Sequence, residues 1–448
     1  MRIDLLASVC AFVGNTHKRA VPPEIYDLAK KCLIDWFSVS IAALLDAAPT
    51  LVRQQMQQWA THGSAMNLYG DKGTPAAVAL VNGTLSHSLD YDDMHFGSAF
   101  HASGPTLAAA LAVAMQRESS ELALLNSFLT GYEVGTAMGD AGLGPSLAAV
   151  GWHPTGILGH FSATCSAAAL LQLNPAQIAN ALGLAATQAA GLQASGGTMA
   201  KPFHVGKAAM NGVMAAELAS LGMDAYQNIF HDSDGMLGRL FQKPMGISLE
   251  GLGQRWNLLD NTFKPYAACQ LTHAPHEAAR GMHGSFSEKG LREVRVHVNP
   301  LAKKVAGRES ASTPMEGKFS IAYCVALGLR GYSADMTGFT QARIDDTSVS
   351  ELAKITQVMT SEGVERWASH IELIYDDGPI VHGETKGVRG SPLVPLSWAD
   401  IDEKFLSSTS DLLGENANEL LQILHNFERP GSLKTVSHIL EKCAQRRR

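Results

Sequence analysis

A chain of 448 residues with a formal net charge of −7 and a sequence pI near 6.2 has no basic footprint for nucleic acid. Charged residues make up only 17% while alanine and glycine are abundant, a composition of closely packed helices with much buried surface, often in an oligomer. The six cysteines (Cys10, Cys32, Cys165, Cys269, Cys324 and Cys443) form no C-x-x-C pair, which argues against zinc ribbons and common iron–sulfur spacings and fits a reducing compartment.

The first stretch, MRIDLLASVCAFVG, reads as a helix rather than a secretory leader. Asp4 stands where a leader's basic segment belongs, and no small-x-small cleavage site follows. Residues 23–45 form the next helix. Pro22 and Pro23 open it, Glu24 sits in its first turn, and Ile25, Leu28, Ala29, Cys32, Leu33, Trp36 and Phe37 recur at helical spacing. Pro49 starts another. TPAAVALVNGTLSHSLDYDD begins with Thr74 as N-cap and Pro75 in the first turn, and its helix runs to His87. GPTLAAALAVAMQR, ELALLNSFLTGYEVGTAMG and GHFSATCSAAALLQL continue the pattern. NPAQIANALGLAATQAAGL is capped by Asn174 with Pro175 behind it, and after a glycine-containing loop Lys207 opens KAAMNGVMAAELASLGM. No apolar run reaches the roughly eighteen residues of a membrane span without Gly, Pro or charge breaking it, so a soluble, cytoplasmic protein is expected.

Near residue 290 the pattern changes. REVRVHVNP alternates Val294, Val296 and Val298 with polar residues, the period of a strand. HIELIYDDGPIVHGETKG reads as a hairpin around Asp377-Gly378. FSIAYCVALGLRG between them is helical, and helix returns from about residue 399 to the end. The fold expected is mainly α: a large, discontinuous all-helical domain (1–265 and 400–448) plus a smaller α+β lid domain (266–399).

Five stretches carry titratable groups. HSLDYDDMHFGSAFHAS, residues 87–103, contains Asp90, Asp92, Asp93, His95 and His101. Taken singly, Asp92 and Asp93 read as solvated and His87 as a packed helix residue. As a cluster among apolar helices they need partners or a purpose. A metal held by Asp90, Asp93, His95 and His101 is a minor reading, since no H-E-x-x-H signature is present. In GWHPTG, His153 precedes a helix whose dipole favours neutral imidazole, suited to a base, a donor or simple packing. SGGTMAKPFHVGKAA offers Lys201, His204 and Lys207 beside flexible Gly196 and Gly197. It is no P-loop, but a lysine there suits a carboxylate. FKPYAACQLTHAPHEAARG brings Lys264, Tyr266, His273 and His276 to the expected domain junction, either as a site or as a surface helix start with solvated histidines. EGKFSIAYCVALG places Lys318, Ser320 and Tyr323 on one helix.

In this order, NGTLSHSLDYDDMH, HASGP, GWHPTG, MAKPFHVGKAA, KPYAACQLTH and EGKFSIAYC resemble the MmgE/PrpD family, over nearly the whole chain. The resemblance implies a helical domain with an α+β lid, a homodimer, and catalysis without metal or organic cofactor. It implies Asp90, His101, His153 and Tyr323 as catalytic residues, and Met199, Lys201, Lys264 and His273 as substrate-binding ones. Met94 and Ala102 stand where the family often has Thr and Pro, departures that point away from decarboxylation and leave the substrate open. The function expected is a cofactor-independent lyase, most like a 2-methylcitrate dehydratase, moving a proton next to a carboxylate of a small polycarboxylic acid. Lys201 and Lys264 would hold carboxylates, His101 or His153 would be the acid–base group with Asp90 tuning it, and Tyr323 or His273 would protonate the departing hydroxyl. The alternatives are an epimerase of a dicarboxylate and, from other classes, a metal-dependent hydrolase or a non-catalytic helical binding protein. The site is expected in a cavity between helical body and lid.

Overall fold

Helices that are apolar on every side must be surrounded by other helices. In the helix Pro75–His87 only Ala76 escapes burial, and in Pro154–Leu170 only Ala169 does. The computed structural model describes residues 5–59, 62–230, 233–241, 249 and 251–446; Asp4 lies outside them. The chain is mainly helical. No single described helix is long and apolar enough to cross a membrane.

The described chain falls into two units. The first comprises Met1–Ser88, Asp92–Asn261 and Trp398–Arg448 and is built of helices, with paired strands of only two residues, Ala65–Met66 and Lys72–Gly73. The long apolar segments fold as read: Leu5–Gly14, Pro23–Ala42, Pro75–His87, Ser103–Arg117, Glu121–Met138 and Pro154–Leu170 are helices. Asn174 caps Pro175–Ala186 through a reciprocal box with Gln177. Some starts differ: the helix read from Pro49 begins at Ala47. Lys207 does not open a helix; the helix begins at Ala200 and runs to Ser220, so Lys201 lies in its first turn. Pro202 near the start fits helix geometry there because the first-turn N–H groups have no intrahelical acceptor.

The second unit comprises Leu89–Tyr91 and Thr262–Ser397. Its centre is a four-stranded sheet in the order Thr356–Thr360, Leu291–Val298, Ser369–Tyr375, Val381–Thr385. The first pair is parallel and the others antiparallel. Val294, Val296 and Val298 all face inward, as the alternation requires, and Gly378 (φ 108°) makes the hairpin turn. The helix His273–Met282 and the helix Ile321–Leu329 pack in the same unit. Ser320 caps the latter through Tyr323 N. Lys318 and Ser320 therefore precede that helix rather than sharing it with Tyr323, because the Ser320 hydroxyl satisfies a first-turn N–H.

Within the first unit the returning C-terminal segment is fastened by charge. Lys404, on the helix Trp398–Leu413, donates from Nζ to Asp35 Oδ1 at 2.6 Å, with both side chains almost fully buried. Removing one member strands the other in an apolar setting, whereas removing both does not. Lys404→Met is expected to lower the unfolding free energy by about 3 kcal/mol. The Asp35→Asn, Lys404→Met pair should recover most of that loss. Urea titration followed by circular dichroism measures both.

Candidate active site

In the first unit, the end of the helix Pro75–His87, the segment after Asp92 and two further helix starts converge on a group of imidazoles. Asp92 is 1% exposed, not solvated. Its Oδ2 lies 2.8 Å from His87 Nδ1 and 3.1 Å from His101 Nδ1, the second contact at an angle poor for a hydrogen bond. His87 Nε2 lies 2.9 Å from Lys201 Nζ. An ammonium can only donate, so His87 accepts at Nε2 and carries its proton on Nδ1, toward Asp92. The His87 ring meets His101 edge-on at 4.6 Å and stacks near His153 at 5.7 Å. His153 Nδ1 in turn lies 3.2 Å from His204 Nδ1.

The backbone sets these distances. His153 is fixed by its own N–H donating to Gly191 O at 2.8 Å, and His101 N donates to Thr155 Oγ1 at 3.2 Å. The helices that carry His87 and Lys201 cross glycine on glycine. A methyl group at Gly83 would stand 2.8 Å from Gly206 Cα, and one at Gly206 would stand 2.3 Å from Leu80 O. No larger residue fits that crossing without moving a helix.

Burial dominates the electrostatics. It pushes His87 down to about 4, the attraction of Asp92 opposing it and Lys201 reinforcing it. Burial and nearby Lys201 hold His153 well below the usual imidazole range, and burial with Lys207 takes His204 to about 4. These rings are neutral at neutral pH. Burial alone would raise Asp92, but His101 and His87 outweigh it and keep the carboxyl well below its ordinary value. Asp93, the next residue, goes the other way, to about 7, through burial and the adjacent Asp35. Asp93 accepts from Ser103 Oγ at 2.5 Å and from Asn261 Nδ2 at 2.7 Å.

The second unit holds a separate group. Lys264, 1% exposed, donates from Nζ to Asp90 O at 2.7 Å and pairs with Asp90 Oδ1 at 3.3 Å. Asp90 sits in the left-handed region (φ 53°), an uncommon backbone for a residue with a Cβ and one that favours Asp or Asn when not glycine. Lys318 Nζ donates to Leu89 O at 2.5 Å, and Tyr91 Oη donates to Pro265 O at 3.1 Å. His273 and His276 are buried, not solvated. His273 Nε2 donates to Ala268 O at 3.1 Å. Burial and Lys264 keep the ring neutral, which leaves Nδ1 as a buried acceptor with no hydrogen-bond partner among the described residues.

Of the sequence-derived candidates, His101, His153 and Lys201 meet in the first unit, and Asp90, Lys264 and His273 belong to the second. Tyr323 also lies in the second unit, where its hydroxyl donates to Gly338 O at 2.8 Å and burial raises its pKa. That makes it a packed tyrosine and a weak proton donor. Met199, just before the helix Ala200–Ser220, is 56% exposed. The carboxylate that holds His101 is Asp92, not Asp90, because Asp90 is engaged by Lys264. His87 and Asp92 were not among the candidates. The cue is their spacing: His87 ends a helix, and five residues of irregular chain return Asp92 to its ring. The metal quartet Asp90, Asp93, His95 and His101 does not form. Asp90 pairs with Lys264, Asp93 with Ser103 and Asn261, and His95 Nδ1 lies 2.9 Å from Ser98 Oγ. The donor atoms of His87, Asp92 and His101 do lie within 4.8 Å of one another, but with Lys201 donating to His87 Nε2 the Nδ1 that faces Asp92 carries the proton.

The protein-family description of the MmgE/PrpD N-terminal domain matches residues 7–246, and that of the MmgE/PrpD C-terminal domain matches residues 266–428. The chain belongs to the MmgE/PrpD family. It is 25% identical over 405 residues to a cis-aconitate decarboxylase of Aspergillus terreus, covering 83% of this chain and 82% of that one. It is 24% identical to the cis-aconitate decarboxylase-like protein oryM of Aspergillus oryzae over 98% of this chain and 97% of the relative. The human cis-aconitate decarboxylase is 25% identical, over 79% of this chain and 77% of its own.

The buried imidazoles make stability depend on pH. Unfolded, each takes a proton near pH ~6.5. Folded, burial holds His87, His204 and His276 to about 4 and His160 to about 3. Acid therefore favours the unfolded chain between those values. Asp93 and Glu133, both raised to about 7 chiefly by burial, act in the opposite sense, but His153 and His273, also held well below the imidazole range, and Asp92, held below the usual carboxylate range, add to the acid-sensitive side. The melting midpoint is expected to fall steadily from pH 7 to pH 4.5 in thermal scans; a rise on acidification contradicts this electrostatic picture.

Proposed function

We propose that this protein is a lyase acting on a small polycarboxylate, and that it works by proton transfer at a carbon next to a carboxylate. The observation that carries this reading is the shared oxygen of Asp92, set between His87 and His101 with the Lys201 ammonium on the far nitrogen of His87. A positioned ammonium recognises a carboxylate by charge-assisted hydrogen bonds. His101 takes the proton from carbon, and the imidazolium it becomes lies beside an anion already in place. His87 is the positioning group between Asp92 and Lys201, so Lys201 is oriented before substrate arrives. His153 supplies a neutral imidazole to a second oxygen of the substrate. In the second unit, Lys264, oriented by Asp90, is suited to a carboxylate, and His273, whose Nδ1 can only accept, to a hydroxyl. Tyr323 is not assigned the leaving-group proton, since its hydroxyl is committed to a backbone carbonyl; in a dehydration the His101 imidazolium passes the proton it took from carbon to the departing hydroxyl, which leaves as water.

Loss of water from a hydroxy polycarboxylate, the 2-methylcitrate dehydratase type, is the first reading. Met94 and Ala102 support it, as departures from the family pattern that point away from decarboxylation. Loss of carbon dioxide is the second, favoured by the decarboxylase names of the relatives. Both need the same carbanion next to a carboxylate. The same reading takes the enzyme as a cytoplasmic homodimer whose second unit serves as an α+β lid, working without metal or organic cofactor.

The test is a panel of citrate-like acids incubated in heavy water and followed by proton NMR, which separates proton exchange, water loss and carbon dioxide loss in one experiment. One acid should lose water with deuterium exchange at the adjacent carbon, and chelator should leave the rate unchanged. His101→Asn should lower kcat by about 10²–10⁴. Asp92→Asn should lower kcat as well, because it removes the anion beside the developing imidazolium. Lys201→Met should act mainly on KM. Full turnover by His101→Asn sinks the assignment; stereochemical inversion without net water or carbon dioxide loss moves the protein to the epimerases.

A further inference from the structure

The sheet of the second unit carries a second histidine cluster that the proposed chemistry does not use. His297 lies on the strand Leu291–Val298, His370 and Glu372 on the strand Ser369–Tyr375, and His382 on the strand Val381–Thr385. Residues two apart on a strand share a face, so His370 and Glu372 point the same way. Register supplies the rest: His297 is directly opposite His370, and Glu372 is directly opposite His382. Three imidazoles and a carboxylate thus share the face away from buried Val296, Ile371 and Leu373.

The distances are those of a donor set. Donor atoms of His297, His370 and Glu372 lie within 4.8 Å of one another. His370 Nε2 is 3.2 Å from His382 Nδ1, close to the ~3.3 Å that separates two nitrogens on a tetrahedral ion with bonds of ~2.0–2.1 Å. His297 Nε2 is sealed from solvent with no hydrogen-bond partner among the described residues, and Glu372 Oε2 lies 3.6 Å from it. Arg295, opposite Glu372 in register, does not compete for it. Its guanidinium grips Glu293 at 2.9 and 3.1 Å. Without an ion the His370–His382 pair shares one hydrogen bond, and a cation with an affinity for nitrogen takes the place of that shared proton.

We propose that His297, His370, His382 and Glu372 form a binding site for a divalent transition ion of the zinc type, clamping three strands of the second unit. His297, His370 and Glu372 supply two nitrogens and one oxygen, and His382, held beside His370 on an exposed ring, turns in as the fourth ligand; a shell filled in this way is structural rather than catalytic. No thiolate is involved, and imidazole with carboxylate suits zinc better than a soft ion such as copper(I).

The test uses full-length protein without an affinity tag, stripped with chelator and titrated with Co²⁺ as a coloured stand-in for Zn²⁺. One Co²⁺ per chain should bind, with visible bands of four-coordinate intensity, and Zn²⁺ should displace it. His370→Gln and His382→Gln should each weaken binding at least tenfold, while Asp92→Asn, in the first unit, should leave it intact. Zn²⁺ should raise the melting midpoint of the wild type and not that of His382→Gln, a substitution at an exposed side chain. Binding absent up to millimolar Co²⁺, binding unchanged in His370→Gln, or binding abolished by Asp92→Asn each overturns the proposal.

Discussion

Asp92 is an ionised carboxylate placed where water does not reach, and the first unit is organised around tolerating it. Taken alone, such a charge would cost several kcal/mol and would neutralise itself by binding a proton. Here two imidazoles share one of its oxygens, and their attraction outweighs burial. The cost is met by geometry instead of by solvent. Asp92 then fixes the tautomer of His87, His87 orients Lys201, and the same oxygen stands ready for a charged His101. One buried anion thus sets the tautomer of one ring and the direction of the groups around it.

The next residue shows how local this control is. Asp92 and Asp93 are neighbours in sequence and equally buried, yet their proton affinities are driven apart. Asp92 faces imidazoles, whereas Asp93 faces Asp35, a serine hydroxyl and an amide. Pairs of carboxyls separated in this way mark sites where proton transfer is organised. In the second unit, Lys264 beside Asp90 follows the same rule with the signs exchanged. There the buried cation is stabilised by a carboxylate and a backbone carbonyl held in an uncommon conformation.

Much of this was legible in the chain. Helices were readable because small and apolar residues recur without a polar face, and Asn174 and Pro175 announce a helix start. The alternation at Val294, Val296 and Val298 announced the sheet. Lys201, His101 and His153 could be named because motifs in order carry more information than single residues. What escaped were contacts between distant segments. Nothing in sequence separates Asp90 from Asp92 as the partner of His101. The distinction comes from a left-handed turn at Asp90 that aims one side chain toward Lys264, while the return of the chain brings the other to His87. Tyr323 shows a similar limit: helical spacing gives its direction, but only the fold reveals that its hydroxyl donates to Gly338 O. The register that gathers His297, His370, His382 and Glu372 is likewise a property of paired strands, invisible along any one of them.

The contact of Gly83 with Gly206 has a consequence for how this chain tolerates change. The separation between the His87 ring and the Lys201 ammonium is dictated by how near two backbones approach, several residues away from either group. An added methyl at that crossing would act as a spacer and pull the two apart while leaving every polar residue in place. Turnover would then be lost by a chain whose full inventory of reactive groups is present. Selection on this chemistry therefore reaches positions that carry no functional group at all.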